Sequence, residues 1–310
     1  MTNVCRPLTS NVLVEPFVNG VLKISDRIER KNAILKIGEA ERQCSYFSQS
    51  STLHNADYRD CDYKTSEQRE LLREEILDDL KNNQRIENDD NICLGVGGAK
   101  PLTDVKSDSQ LFYVIGLPAS GKSGIANIIA DYYGAYILDN DYAKRKLPEF
   151  SMNGGASLVH DESDEIVFNN KNDNLLLFCL RNHYNIVVPK IGHNKRSVSE
   201  FCQMMSNCKY TVNLISVDLD RSLATQRAYY RFKDTQRYVP LSLIFDVYSN
   251  QPSLNYFKIK QENPSYINGY AQISTDVPKG SEPILLEEQN IKNFRKIFSS
   301  DIKGEKKVCP

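Results

Sequence analysis

The sequence has no tryptophan, almost no net charge and no long apolar run, and two of these absences narrow what the chain can be. Lysine and arginine number 39 against 40 aspartates and glutamates, a formal net charge of -1 over 310 residues. Proteins that ride on bulk nucleic acid or on anionic lipid carry a basic excess, so neither is an expected partner. No stretch approaches the roughly 18 consecutive apolar residues of a membrane span. The opening stretch has short apolar patches but no basic head joined to an unbroken apolar run, so no secretory signal is expected there. None of the eight cysteines forms a C-x2-C pair. Cys202 and Cys208 have no second pair nearby, which argues against zinc. Several cysteines lie in apolar runs and read as small buried hydrophobes, as in a reducing compartment. A cytoplasmic protein is the expectation. What remains is ordinary globular composition, 40% apolar and 25% charged, with enough chain for a real core.

Residues 1–62 are the hardest to read. Val12–Val14 and Val21–Ile24 have the look of short strands around the turn-like Asn19-Gly20. The segment is either an irregular extension or a small accessory element. Residues 63–108 read as a leading helix and a linker. Leu71, Leu72, Ile76 and Leu80 recur at helical spacing after a candidate N-cap, Ser66. Gly95, Gly97, Gly98 and Pro101 then punctuate the chain.

From 109 to 300 the texture changes. Apolar runs at Leu111–Ile115, Ala135–Leu138, Asn185–Val188 and Thr211–Asp218 read as strands. Between and after them, Ser123–Tyr133, Asn174–His183, Val198–Ser206, Arg221–Phe232 and Leu241–Tyr248 read as helices. Tyr270–Ser274 suits an edge strand, and 276–295 suits surface followed by a closing helix. Residues 301–310 read as a frayed tail. Strands alternating with helices predict an α/β fold, a mostly parallel sheet with helices on both faces.

Gly116-Leu-Pro-Ala-Ser-Gly121-Lys122-Ser123 matches G-x4-G-K-[ST], placed between a strand and a helix. Gly116 and Gly121 let successive N–H groups turn into one cavity, with Ser120 in the same loop. The helix start offers unpaired N–H groups to phosphate. Lys122 is a mobile charge for the β- and γ-phosphates, and Ser123 has the hydroxyl that ligates Mg2+. This makes the fold a P-loop NTPase and the expected cofactors ATP and Mg2+.

The second strand runs into Asp139-Asn140-Asp141, where open α/β sheets hold ligands. Asp139 there suits a metal and Asp141 suits a proton acceptor, although Asx residues also start helices. Arg227 and Arg231 share one helical face, and Arg237 follows before Pro240. They suit a phosphoryl clamp and lid, or a solvated charge run. Neither a separate apolar strand ending in Asp-Glu nor an N-K-x-D signature follows, against a motor or a GTPase switch. Three classes stay open: a small-molecule kinase, an oligonucleotide end kinase, and an ATP-binding regulator acting through a partner.

The combination GLPASGKS, ILDNDYAKRKLPEF and GGASLVHDESDEI, with YNIVVPK and TQRAYYR…QRYVP, resembles the zeta-toxin family of small-molecule kinases over roughly Ser66–Pro240. The resemblance implies phosphoryl transfer from ATP to a sugar hydroxyl, with UDP-N-acetylglucosamine or another nucleotide-containing metabolite as acceptor. It makes Asp141 the base, Lys122 and Ser123 the nucleotide and metal residues, and Arg227 and Arg237 the clamp and lid, with Arg231 an extra candidate. It puts Asp173 and Asp161 against the acceptor, and admits an antitoxin-like protein partner. Members that use the sugar nucleotide carry a glutamate at the end of the third strand. Here that place reads Val188-Pro189-Lys190, so the acceptor pocket differs. Lys190 is expected to face an acceptor phosphate.

Overall fold

The computed structural model describes residues 5–47, 50–152, 154–278 and 280–298. The sheet has six strands in the order β2-β3-β1-β4-β5-β6. They are β1 (Gln110–Ile115), β2 (Tyr136–Ile137), β3 (Ile186–Lys190), β4 (Thr211–Asp218), β5 (Gly269–Ser274) and β6 (Ile284–Gln289). The first five pair parallel and β6 is antiparallel to β5. Tyr270–Ser274 is therefore an inner strand. The antiparallel edge β6 falls in the stretch that the charged sequence around Glu287 and Glu288 disguises as surface. The inner strands β1, β3 and β4 are almost wholly buried, as expected when helices cover both faces of a parallel sheet.

The helices are α1 (Asn11–Phe17), α2 (Arg27–Phe47), α3 (Ser66–Asn82), α4 (Lys122–Tyr133), α5 (Asn140–Lys146), α6 (Gly155–Leu158), α7 (His160–Asp164), α8 (Leu175–Arg181), α9 (Lys195–Asn207), α10 (Arg221–Thr235), α11 (Gln251–Glu262) and α12 (Phe294–Ile297). Wide π-type turns cover Val18–Leu22, Glu165–Asn169 and Leu243–Tyr248. The N-cap of α3 is Thr65, not Ser66: its hydroxyl accepts from the Gln68 N–H and the Gln68 side chain answers, a full capping box.

Val12–Val14 and Val21–Ile24 are not strands. They lie in or beside α1 and the π-type turn that continues it, despite Pro16 inside the helix. Tertiary packing decides this. Val14, Phe17, Val18, Val21 and Leu22 form a buried cluster with Ile37 of α2, with Leu117 of the Gly116–Ser123 loop, and with Ala224, Ala228 and Tyr229 of α10. The N-terminal segment is thus a helical layer on one flank of the sheet domain. Seven cysteines, Cys5 to Cys208, are free thiols, with Cys179 and Cys202 buried. Cys309 and the expected frayed tail lie outside the described residues, as do Ser48 and Gln49 of the polar stretch before α3. No described helix is long and apolar enough to cross a membrane.

Candidate active site

Strand register brings the site together. Pairing of Ile115 with Lys190 and with Ser216 puts the ends of β1, β3 and β4 at one level. The Gly116–Ser123 loop leaves from that level. A Cβ at Gly116 would stand 2.6 Å from the Val217 carbonyl oxygen and 3.0 Å from Ser120 Oγ, so the tight exit needs glycine. Gly121 starts α4 with a φ of 84°, again a glycine conformation. Ser120 Oγ is buried with no hydrogen-bond partner, a polar atom left over inside a loop built of N–H groups. The Lys122 ammonium donates to the Leu117 carbonyl at 2.5 Å. Burial pulls Lys122 down to about 8, with Arg231 adding repulsion while Asp139 and Asp141 oppose it. The arrangement is a cationic, amide-lined cradle whose lysine is parked on its own loop.

Asp139 and Asp141 open α5. The Asp139 carboxylate accepts from the Asp141 N–H at 3.0 Å, so it caps the helix as well as facing the site. Burial and the neighbouring Asp141 push Asp139 up to about 6. Asp141 goes the other way. Burial works against its charge, but the Lys144 ammonium at 3.0 Å, Arg237 and Arg145 hold it well below the usual carboxylate range. Arg237 Nη2 lies 3.9 Å from Asp141. Ser123 and Asp139 offer oxygen donors only, the set that Mg2+ takes. A cation there would also relieve the charge conflict between the two aspartates.

The predicted arginines divide. Arg227 turns its guanidinium to the carbonyls of Thr275 and Val277, at 2.8 and 3.2 Å. Thr275 in turn donates to the Ser120 carbonyl at 2.7 Å, so Arg227 braces the nucleotide loop from behind. Arg231 lines the cleft with Asp141 and lies near enough to Lys122 to repel its charge. It makes no ion pair among the described residues, and its Nε is buried without a partner. Burial and Arg237 depress it, while Asp141 and Asp90 support it.

Lys190 stands at the end of β3, 3.3 Å from Asn140 Oδ1 and 4.1 Å from the centre of the Phe168 ring. Burial lowers it against the pull of Asp139 and Asp164. Asp161 and Asp173 do not join this group. Asp161 is half-exposed, 3.9 Å from His54. Its neighbour Glu162 is the buried member of the HDES segment, and it is bound to Arg69. Asp173 bonds Lys81 at 2.5 Å and Arg181 at 3.3 Å. The Asp173 carboxylate is taken by partners outside the cleft, and Asp161 stands half-exposed beside His54.

The sequence reading missed one wall altogether. A cleft of about 630 Å3 reaches from Asp141, Arg231 and Arg237 to Lys36, Gln43 and Cys44 of α2. Tyr238 fixes that wall by donating to the Glu41 carboxylate at 2.5 Å. Nothing in the α2 sequence marks it as part of a site, because its contribution depends on a contact with residues 197 positions later.

A nucleotide loop, an acidic pair at the strand end and convergent arginines define a P-loop phosphotransferase. Residues 99–262 match the Zeta toxin family. They are more than half of the chain, and the chain belongs to that family: it is an ATP-dependent kinase acting on a hydroxyl of a small molecule. No curated protein matches it. Among solved structures it is similar to one from the PezAT chromosomal toxin-antitoxin system of Streptococcus pneumoniae, at 12% identity and a TM-score of 0.51, covering 78% of this chain and 90% of that one. That similarity is one of fold. An AvrRxo1-ORF1:AvrRxo1-ORF2 complex with sulphate ions aligns at 19% identity, TM-score 0.45, over 74% and 72% of the two chains. A gluconokinase from Sinorhizobium meliloti 1021 aligns at 15% identity, TM-score 0.34, over 56% and 86%.

Proposed function

We propose that the chain transfers the γ-phosphoryl group of ATP to a hydroxyl of a nucleotide sugar or a related metabolite, with Asp141 orienting that hydroxyl and taking its proton. The observation that carries this is the convergence of Lys122, Asp139, Asp141 and Arg231 at the ends of β1 and β2. The loop amides and Lys122 would hold the phosphates. Ser123 and Asp139 would hold Mg2+, which supplies charge neutralisation at the phosphates when bound. Arg231 and Arg237 would balance the charge on the moving phosphoryl group, and Arg227 would keep the loop in shape. Lys144 would have to leave Asp141, or share it, when the acceptor hydroxyl arrives. Pro189, where sugar-nucleotide members have a glutamate, and the added charge of Lys190 beside it support an acceptor that differs from theirs. A neutralising protein partner of the antitoxin kind is proposed on family membership, to be sought by co-purification.

The test gives ATP and Mg2+ to wild-type and Asp141→Asn protein with nucleotide sugars, dinucleotides, free sugars and short oligonucleotides. A product heavier by one phosphoryl group is expected from a small molecule, reduced about 10²–10⁴-fold by the substitution. Near wild-type turnover in Asp141→Asn would remove Asp141 from the base role. A phosphorylated oligonucleotide would replace the acceptor class.

A further inference from the structure

We propose that Lys190 and Asp164 are positioning residues for the acidic pair: they grip the Asn140 side chain from opposite sides and so hold Asp139 and Asp141 beside Lys122 of the nucleotide loop. This rests on the kinase reading of that pair and gives the pair a support that the reading does not contain.

Asn140 stands between the two aspartates and opens α5. It is buried, and its amide is used at both ends. Nδ2 donates to Asp164 Oδ1 at 2.9 Å, and Oδ1 accepts from the Lys190 ammonium at 3.3 Å. A carboxylate on one side and an ammonium on the other fix which way the amide points. The flipped amide would set oxygen against carboxylate and NH2 against ammonium. Both charged partners are themselves held. Asp164 leads into the π-type turn Glu165–Asn169, and its Oδ2 accepts from Asn169. Lys190 lies 4.1 Å from the centre of the Phe168 ring on that same turn, a cation–π contact. The end of β3, the end of α7 and the start of α5 therefore meet on one side chain. Asp139 secures the main chain of the acidic turn by capping the Asp141 N–H at 3.0 Å. Asn140 secures the same turn to its neighbours. The charges agree with this arrangement. Lys190 is within electrostatic reach of Asp139, Asp164 and Asp141, with Lys144 opposing, yet its hydrogen bond goes to the neutral amide. It compensates the acidic turn without taking an oxygen of either aspartate. Lys190 is also not among the residues that line the cleft running from Asp141 to α2. The lysine at the end of β3 therefore bears on the acceptor through the acidic turn and not by contact. The HDES segment contributes in the same way, through Asp164 just beyond it and not through Asp161.

The experiment uses the full chain with ATP and Mg2+, and the mixture of nucleotide sugars, dinucleotides and free sugars is the acceptor probe at several dilutions. Phosphorylated product is read by mass. Asn140→Asp sets two carboxylates against each other. It should lower the rate at saturating acceptor at least about tenfold, because a slightly misplaced base is slow. Half-saturation by ATP should stay within about twofold of wild type, since the nucleotide loop is outside the network. Adding Asp164→Asn to that variant exchanges the two groups. Position 164 then supplies the amide and position 140 the carboxylate, and Lys190 and Asn169 each still find an oxygen. The double variant is expected to recover to within about threefold of wild type, which independent losses would not do. Lys190→Met should lower the rate about tenfold at every dilution of the acceptor, the mark of a group that acts on the reacting residues. Asn140→Asp protein as active as wild type, or a double variant no better than Asn140→Asp, would overturn the proposal. So would a Lys190→Met loss that vanishes at high acceptor concentration, because a direct acceptor contact behaves in that way. A large rise in ATP half-saturation in all three variants would also count against it, as a collapse of the whole site. Failure of the kinase reading looks different: wild type itself then makes no phosphorylated product, and the proposal falls with it.

Discussion

Arg69 and Arg145 are both withdrawn from water, and they could hardly be treated more differently. Arg69, on α3, is fully buried, and every part of its guanidinium is used. It donates to Glu162 at 2.8 and 2.7 Å and to both oxygens of Glu149 at 2.9 Å. Thr52 and Arg73 complete Glu162. This knot ties the leading helix to the segment between α5 and α8, with every guanidinium nitrogen bonded to a carboxylate. Arg145 pairs with Asp90, which it shares with Arg237, lies near Asp89 and Asp141, and keeps a buried Nε that bonds to nothing among the described residues. The contrast teaches how to tell structural from functional arginines without any motif: count what each donor is bonded to. A bonded-out buried arginine such as Arg69 holds the fold, whereas Arg145 in the cleft wall is held more loosely.

The largest break of this comparison is Arg69→Ala. It strands two buried carboxylates, and losing one partner of a buried pair costs about 3–5 kcal/mol. Urea unfolding should record it, and a loss below about 1 kcal/mol would mean that water already reaches the knot. Arg231→Gln should do the reverse, sparing stability and lowering kcat about a hundredfold, the effect of removing one preorganised charge from a phosphoryl site. Unchanged kcat would return the clamp to Arg227. Tyr238→Phe removes the hydrogen bond to Glu41 and a long one from the Leu241 N–H and should cost about 1 kcal/mol, with the larger change seen in acceptor KM because α2 walls the cleft. The smallest effect sharpens the electrostatics. Free Lys122 loses its proton near pH 8, whereas bound phosphates favour the charged form. ATP binding above pH 8 should therefore take up a proton and weaken as pH rises further. Calorimetry in buffers of different ionisation heat at pH 8.5 would detect the uptake, and its absence would mean that the lysine stays charged in the free loop.

Much of the sheet domain was legible because its signals are local. Strands β1 to β4 are short apolar runs, the nucleotide loop is a spaced motif, and Asp139–Asp141 follows directly on a strand. The failures are nonlocal. Short runs of valine around Asn19-Gly20 look like strand and turn. They became α1 and a π-type turn because Phe17, Val18 and Val21 bury against α10, over two hundred positions away. Spacing put Arg227 on the phosphate side, but the loop after β5 supplied carbonyls that captured it. Asp161 read as the substrate-facing member of its acidic segment, while Arg69, distant in sequence, drew the neighbouring Glu162 into the core. In each case the deciding partner is far along the chain, where no window of sequence can see it.

The packing of α1 and α2 on Leu117 and on Leu219 through Ile244 also sets a timetable. The α1 stripe is made well before the α10 and Leu241 surface that covers it. At about 5–20 residues per second of synthesis, it waits on the order of ten seconds or more for α10 and Leu241 to emerge. Until then the nucleotide loop has no finished backing, and the α2 wall has no Tyr238 to hold it. The order of the chain thus delays a finished nucleotide loop until α10 and Tyr238 have been made.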